Sequence, residues 1–140
     1  MISRSLRSSL VAALAVAVTM LTLDMVWLGV VARSIYDVAL GELKRPDVVL
    51  APALLFYAMY IAAITLYAVI GSDTRRGAIG RGAALGLVAY ATYDLTNWAI
   101  VRGWPAMIVP IDIAWGVALT ATAALVGKIV HLRFRSGPKR

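Results

Sequence analysis

The sequence predicts an all-α fold: a polytopic membrane protein, a four-transmembrane-helix bundle with both termini cytoplasmic. Three observations predict it. Hydrophobic residues make up 61% of the 140-residue chain and the mean hydropathy is +0.83, too apolar for an ordinary soluble domain. The charged residues leave four apolar windows, each long enough for the roughly 20 residues a spanning helix needs. Basic residues gather at the termini and in one of the three connections, the bias that sets membrane topology.

Taken in order, Arg4 and Arg7 precede an apolar run that begins at Leu10, the outline of a secretory signal. The run continues through Asp24 and Trp27 to Ala32, past the point where a signal's apolar region ends. It reads as an uncleaved first transmembrane helix over about residues 8–32, with Asp24 its single charge. Residues 33–47 contain Gly41 and the turn-like Lys44-Arg45-Pro46-Asp47. Ile35, Val38, Ala39 and Leu43 recur there at helical spacing, which predicts an extension of the first helix or a segment lying along the membrane surface.

A second helix follows over about 48–71 without any charge, then a polar loop over 71–81. The third helix, about 82–101, carries only Asp94, and Gly103-Trp104-Pro105 is long enough only to reverse direction. The fourth, about 106–128, carries only Asp112. The whole chain, 1–140, forms a single transmembrane domain. Gly82 and Gly86 are a small-xxx-small pair, expected to bring helices close within the bundle.

The N-terminus, the 71–81 loop and the tail from Lys128 hold ten of the fourteen Lys and Arg residues. The other side holds Arg33, Lys44, Arg45 and Arg102, so the positive-inside rule puts both termini in the cytoplasm. Arg133, Arg135, Lys139 and Arg140 in the tail read as a topology signal that also draws anionic lipid. The net charge of +7 therefore predicts membrane lipids as partners and no nucleic acid. Cysteine is absent and the single histidine, His131, falls in the basic tail. Thiolate, bis-histidine haem and His-rich metal sites are excluded on that count, and no cofactor or metal is expected.

Topology converts three scattered acids into a constellation. Asp24, Asp94 and Asp112 lie nine, eight and ten residues from the nearest outer basic boundary, roughly 12 to 15 Å below it at 1.5 Å per residue. Tyr57 falls at the same level on the second helix. Trp27 and Trp115 each follow an aspartate by three residues, and Asn97 and Trp98 follow Asp94 by three and four, spacings that share a helix face. Tyr93 adjoins Asp94. Indole, phenol and amide N–H or O–H groups are donors a carboxyl can use, and no Lys or Arg lies at that depth to pair with one. Residues 23–29 and 111–116 also echo each other weakly.

An acid in hydrocarbon costs about 2.5 to 3.5 kcal/mol on insertion scales and by default marks a site. The bland alternative is that polar residues only join helices, at about 0.6 kcal/mol per contact. For one aspartate the two readings balance; three at one level favour a site.

Leu23-Asp24 through Trp27-Leu28-Gly29, Ala32-Arg33 with Tyr36, and Leu55-Phe56-Tyr57 with Tyr60 resemble an uncharacterised bacterial membrane family, domain of unknown function family 2177. So do Tyr90 through Asn97, with its Tyr-Asp-Leu-Thr-Asn run, Arg102-Gly103-Trp104-Pro105, and Asp112 with Trp115-Gly116. The likeness runs from about Leu23 to Thr120. It implies a small multi-pass protein of the bacterial inner (plasma) membrane and supplies no activity.

Three functions compete on the residues alone. The first is binding or transport of a proton, a cation or a small or lipid-like ligand by the three-aspartate layer, with Tyr57, Tyr93, Asn97 and the tryptophans Trp27, Trp98 and Trp115 as lining. Transport by so few helices would call for a homodimer. The second is a structural or accessory subunit of a larger membrane complex. The third is a lipid-modifying enzyme with one carboxyl as general acid and another as base; no catalytic residue is assigned, because no Ser-His or Cys-His arrangement accompanies the acids.

Overall fold

The computed structural model describes residues 4–135; Lys139 and Arg140 of the basic tail lie outside the described residues. Helix α1 spans Arg4–Val26 and continues as a π turn over Trp27–Val31, α2 spans Arg33–Leu40, and a short 3-10 turn covers Gly41–Leu43. Helix α3 spans Leu50–Ala63 and continues as a π segment over Ile64–Ile70; α4 spans Arg75–Ile100 and α5 spans Val109–Arg135. No strand occurs among the described residues. Three stretches are long and apolar enough to cross a membrane: Ser5–Val31, Leu50–Ile70 and Val109–Arg135. The chain is therefore a multi-pass, all-helical membrane protein.

Side-chain pairings fix the directions. Gly82 of α4 faces Ala124 and Gly86 faces Gly116 of α5, so these two helices run antiparallel. Asp24 meets Trp115 while Val16 meets Gly127, so α1 also opposes α5. Tyr60 bonds Thr120 and Val69 bonds Lys128, so α3 runs parallel to α5. Helix α5 is the element that α1, α4 and the π segment continuing α3 share. Its buried face, with Gly116, Thr120, Ala123, Ala124 and Gly127, supplies the small residues that let backbones approach.

Helix α1 buries every fourth residue: Ser8, Ala12, Val16, Met20 and Asp24. That period follows one face of a helix, and Asp24 ends the stripe as its polar member. Large side chains on the other faces, among them Leu10, Leu14 and Val18 on α1 and Leu54, Leu55 and Met59 on α3, point outward. An outward apolar surface is what hydrocarbon solvent allows.

Two boundaries differ from the sequence reading. The segment 71–81, expected as a polar loop, is mostly the first turns of α4, because Thr74 accepts a hydrogen bond from the Gly77 amide at 3.0 Å and caps the helix. Helix α5 starts at Val109, after Gly103 turns the chain at φ +79°, and runs on to Arg135. Lys128 and His131 consequently do not belong to an exposed tail: they are only 1% and 4% exposed. Lys128 donates to the carbonyls of Val69, at 3.1 Å, and Ser72. These lie at the end of α3, where carbonyls have no partner within their own helix.

Within residues 33–47, Arg33–Leu40 form a helix of their own, α2, set off from α1 by Ala32 and ended by Gly41 at φ +46°. Asp37 is paired with Lys44 and with Arg33. The Lys44 ammonium beside it holds the Asp37 carboxyl below the usual carboxylate range.

Candidate functional site

At the end of the molecule where α1 leaves its regular geometry, a cavity of about 420 Å³ opens between α1, α2, α3, α4 and α5. Asp24, Tyr57, Tyr93, Asp112 and Trp115, all singled out from the sequence, lie on its wall. Leu28, Tyr36, Leu40, Phe56, Ala89 and Tyr90 complete it.

Asp24 is 5% exposed and takes two hydrogen bonds. The Tyr57 hydroxyl donates to one carboxyl oxygen at 3.1 Å, and the Trp115 indole N–H donates to the other at 3.1 Å. Three helices thereby share one carboxyl, which offsets part of the cost of burying it. Trp115 stacks on Trp27, with ring centroids 4.4 Å apart and planes 5° from parallel. The Trp27 N–H reaches the Tyr36 hydroxyl at 3.4 Å, so the π turn that carries Trp27 ties α2 over the cavity.

Asp112 is 8% exposed and lies in the first turn of α5, where the free backbone N–H groups and the helix dipole favour a carboxylate. No described side chain or amide hydrogen-bonds to its carboxyl. The tryptophans of the two echoing stretches, residues 23–29 and 111–116, stack on each other but differ in their hydrogen bonds. Trp115 serves Asp24, but Trp27 turns to Tyr36 and leaves Asp112 alone.

The other predicted residues sit elsewhere. Asp94 is fully buried but is not on the cavity wall. It ends the α4 stripe Ala78, Gly82, Gly86 and Tyr90 at intervals of four, whose glycines face α5, while Tyr90 on that stripe and Ala89 and Tyr93 beside it reach the cavity. Neither Asp94 oxygen has a hydrogen-bond partner among the described residues. The Trp104 N–H lies beside them, short of bonding geometry and itself without a partner. Asn97 gives its amide to the Tyr93 carbonyl at 2.9 Å, and Trp98 points outward, 53% exposed. Trp27 stacks behind the wall without lining it.

Sequence reasoning missed Tyr36, Phe56 and Tyr90 as lining. Tyr90 had a signal, being four residues before Asp94 on the stripe. Its ring occupies the space that a side chain at Gly116 would need, so that glycine lets the aromatic ring lie on α5. Among the described residues no group of three or more His, Asp or Glu side chains is placed to hold a metal.

The family model described as "Predicted membrane protein (DUF2177)" matches residues 9–129 of this chain. The chain belongs to this family. The match takes in most of α1, all of α2, α3 and α4 and most of α5, so the cavity and Asp24, Asp94 and Asp112 lie within the family's extent. No curated protein and no solved structure matches the chain.

Proposed function

We propose that the chain crosses a bacterial inner membrane four times, with both termini cytoplasmic, and that the cavity binds a small amphipathic ligand drawn from the outer half of the bilayer, for retention or for transport. One observation carries this reading: Asp112 is nine-tenths buried on the wall of an aromatic cavity, and no described residue hydrogen-bonds to its carboxyl. Burying a carboxyl without a partner is costly, and its retention on a cavity wall makes sense when a ligand supplies the partner. Asp24, already held by Tyr57 and Trp115, shapes the pocket. Asp94, beneath the connection between α4 and α5, is the third acid of the same polar layer.

The reading is tested by photolabelling in vesicles with a small apolar diazirine. Labelling should concentrate on Phe56, Tyr57, Tyr90 and Tyr93 and fall at least several-fold when Ala89→Phe fills the pocket. Labelling spread evenly over outward residues such as Leu54 and Met59, and indifferent to Ala89→Phe, would sink it.

A further inference from the structure

The charge and ring content of the wall narrow the ligand to one chemical class. We infer that the cavity is a site for an organic cation, an amine or quaternary ammonium on an apolar body; this rests on the cavity being a ligand site at all. The wall carries two carboxyls, Asp24 and Asp112, and no Lys, Arg or His. Six of its eleven residues are aromatic: Tyr36, Phe56, Tyr57, Tyr90, Tyr93 and Trp115. Faces of aromatic rings attract cations through their quadrupole, and a ring cage around a quaternary ammonium is the recurring form of that recognition.

Other classes fit the same wall less well. An anion would meet two carboxyls with no cation to receive it. A hydrated divalent ion needs six or more oxygen ligands, whereas both Asp24 oxygens are committed to Tyr57 and Trp115 and most of the remaining wall is ring or aliphatic. A neutral apolar molecule would fill the volume but leave the Asp112 carboxyl buried with no partner. An organic cation satisfies the volume, the rings and the unpartnered acid together. Asp112 supplies the opposite charge, the rings surround the ammonium, and Leu28 and Leu40 meet the apolar body.

The test uses the full-length protein in zwitterionic-lipid nanodiscs and three probes of one size. These are benzyltrimethylammonium, its uncharged isostere neopentylbenzene, and benzenesulfonate. The cation should bind saturably, with neopentylbenzene displacing it at least tenfold less well and benzenesulfonate not at all. Asp112→Asn should weaken cation binding tenfold or more, and Asp112→Glu should restore most of it. Because no described residue hydrogen-bonds to the Asp112 carboxyl, the Asn variant is expected to keep its fold, checked by its unfolding midpoint. Equal binding of cation and isostere, or wild-type binding by Asp112→Asn, would overturn the cation assignment and leave the cavity reading standing. Saturable binding of none of the three would remove both.

Discussion

At the scale of single residues, the two cavity acids differ in one respect that matters. Asp24 receives two donors and Asp112 none, although each has a tryptophan three residues along its own helix. Trp27, the first residue of the π turn over Trp27–Val31, gives its indole N–H to Tyr36 and not to Asp112. The Asp24 contacts should be modest in energy, because a helix separated within the bilayer finds substitute partners for its polar groups. A double-mutant cycle between Tyr57→Phe and Asp24→Leu, read by reversible unfolding in detergent, should give a coupling of about 0.6 kcal/mol and not above about 1.7 kcal/mol. A coupling of zero would mean that the Tyr57 hydroxyl does not serve Asp24.

At the scale of elements, the interface of α4 with α5 depends on absent side chains. A Cβ at Gly82 would come within 2.8 Å of the Ala124 Cβ and the Thr120 carbonyl, and one at Gly86 would run into the Gly116 backbone. Backbone cannot yield as a flexible side chain can, so Gly86→Ala should cost about 1–3 kcal/mol by overpacking. Gly29, in the π turn with nothing within 4 Å of an added Cβ, is the matched control. Gly29→Ala should stay within about 0.5 kcal/mol of the parent. Equal effects of the two would show that α4 and α5 are not in close contact.

The same elements show what a sequence discloses. Apolar windows were legible because hydrocarbon thickness sets the interval between charges, and the close-packing role of Gly82 and Gly86 followed from their spacing. Helix ends were less legible, because a charge marks the edge of the hydrocarbon and a helix may legally extend past it: α4 begins at Arg75 behind the Thr74 cap. Lys128 read as a topology charge since its partners, the carbonyls of Val69 and Ser72, lie more than fifty residues away in sequence. The cavity wall was half legible for a similar reason. Depth could be counted along each helix, which placed Asp24, Tyr57 and Asp112 together. The rotation of α4 that puts Tyr93 on the wall and Asp94 off it, with Gly86 and Tyr90 packed at Gly116, is invisible to a count of residues.

At the scale of the molecule, the open question of energy concerns α4. It has 26 residues, about 39 Å of helix, yet it is not among the three stretches apolar enough to cross on composition alone. Its polar content includes Asp94, Asn97 and the arginines 75, 76 and 81. An acid at the centre of an isolated helix costs about 2.5 to 3.5 kcal/mol, but Asp94 is fully buried and Asn97 bonds its own helix. Arg81 reaches the Tyr67 carbonyl and lies over the Tyr67 ring at the end of the molecule where a long side chain can extend to the interface. Burial in the bundle thus keeps Asp94 out of lipid without giving its oxygens a partner among the described residues, and the alternating directions of α1, α3, α4 and α5 are those a crossing by α4 would produce. The absence of native cysteine makes this directly measurable with single-cysteine variants at exposed positions. In intact cells an impermeant maleimide should label Glu42→Cys and Arg102→Cys, on the outer side, and spare Ser5→Cys and Asp73→Cys until the membrane is permeabilised. Labelling of Asp73→Cys and Arg102→Cys from the same side would place α4 along the surface, and the crossing of all four helices would fail with it.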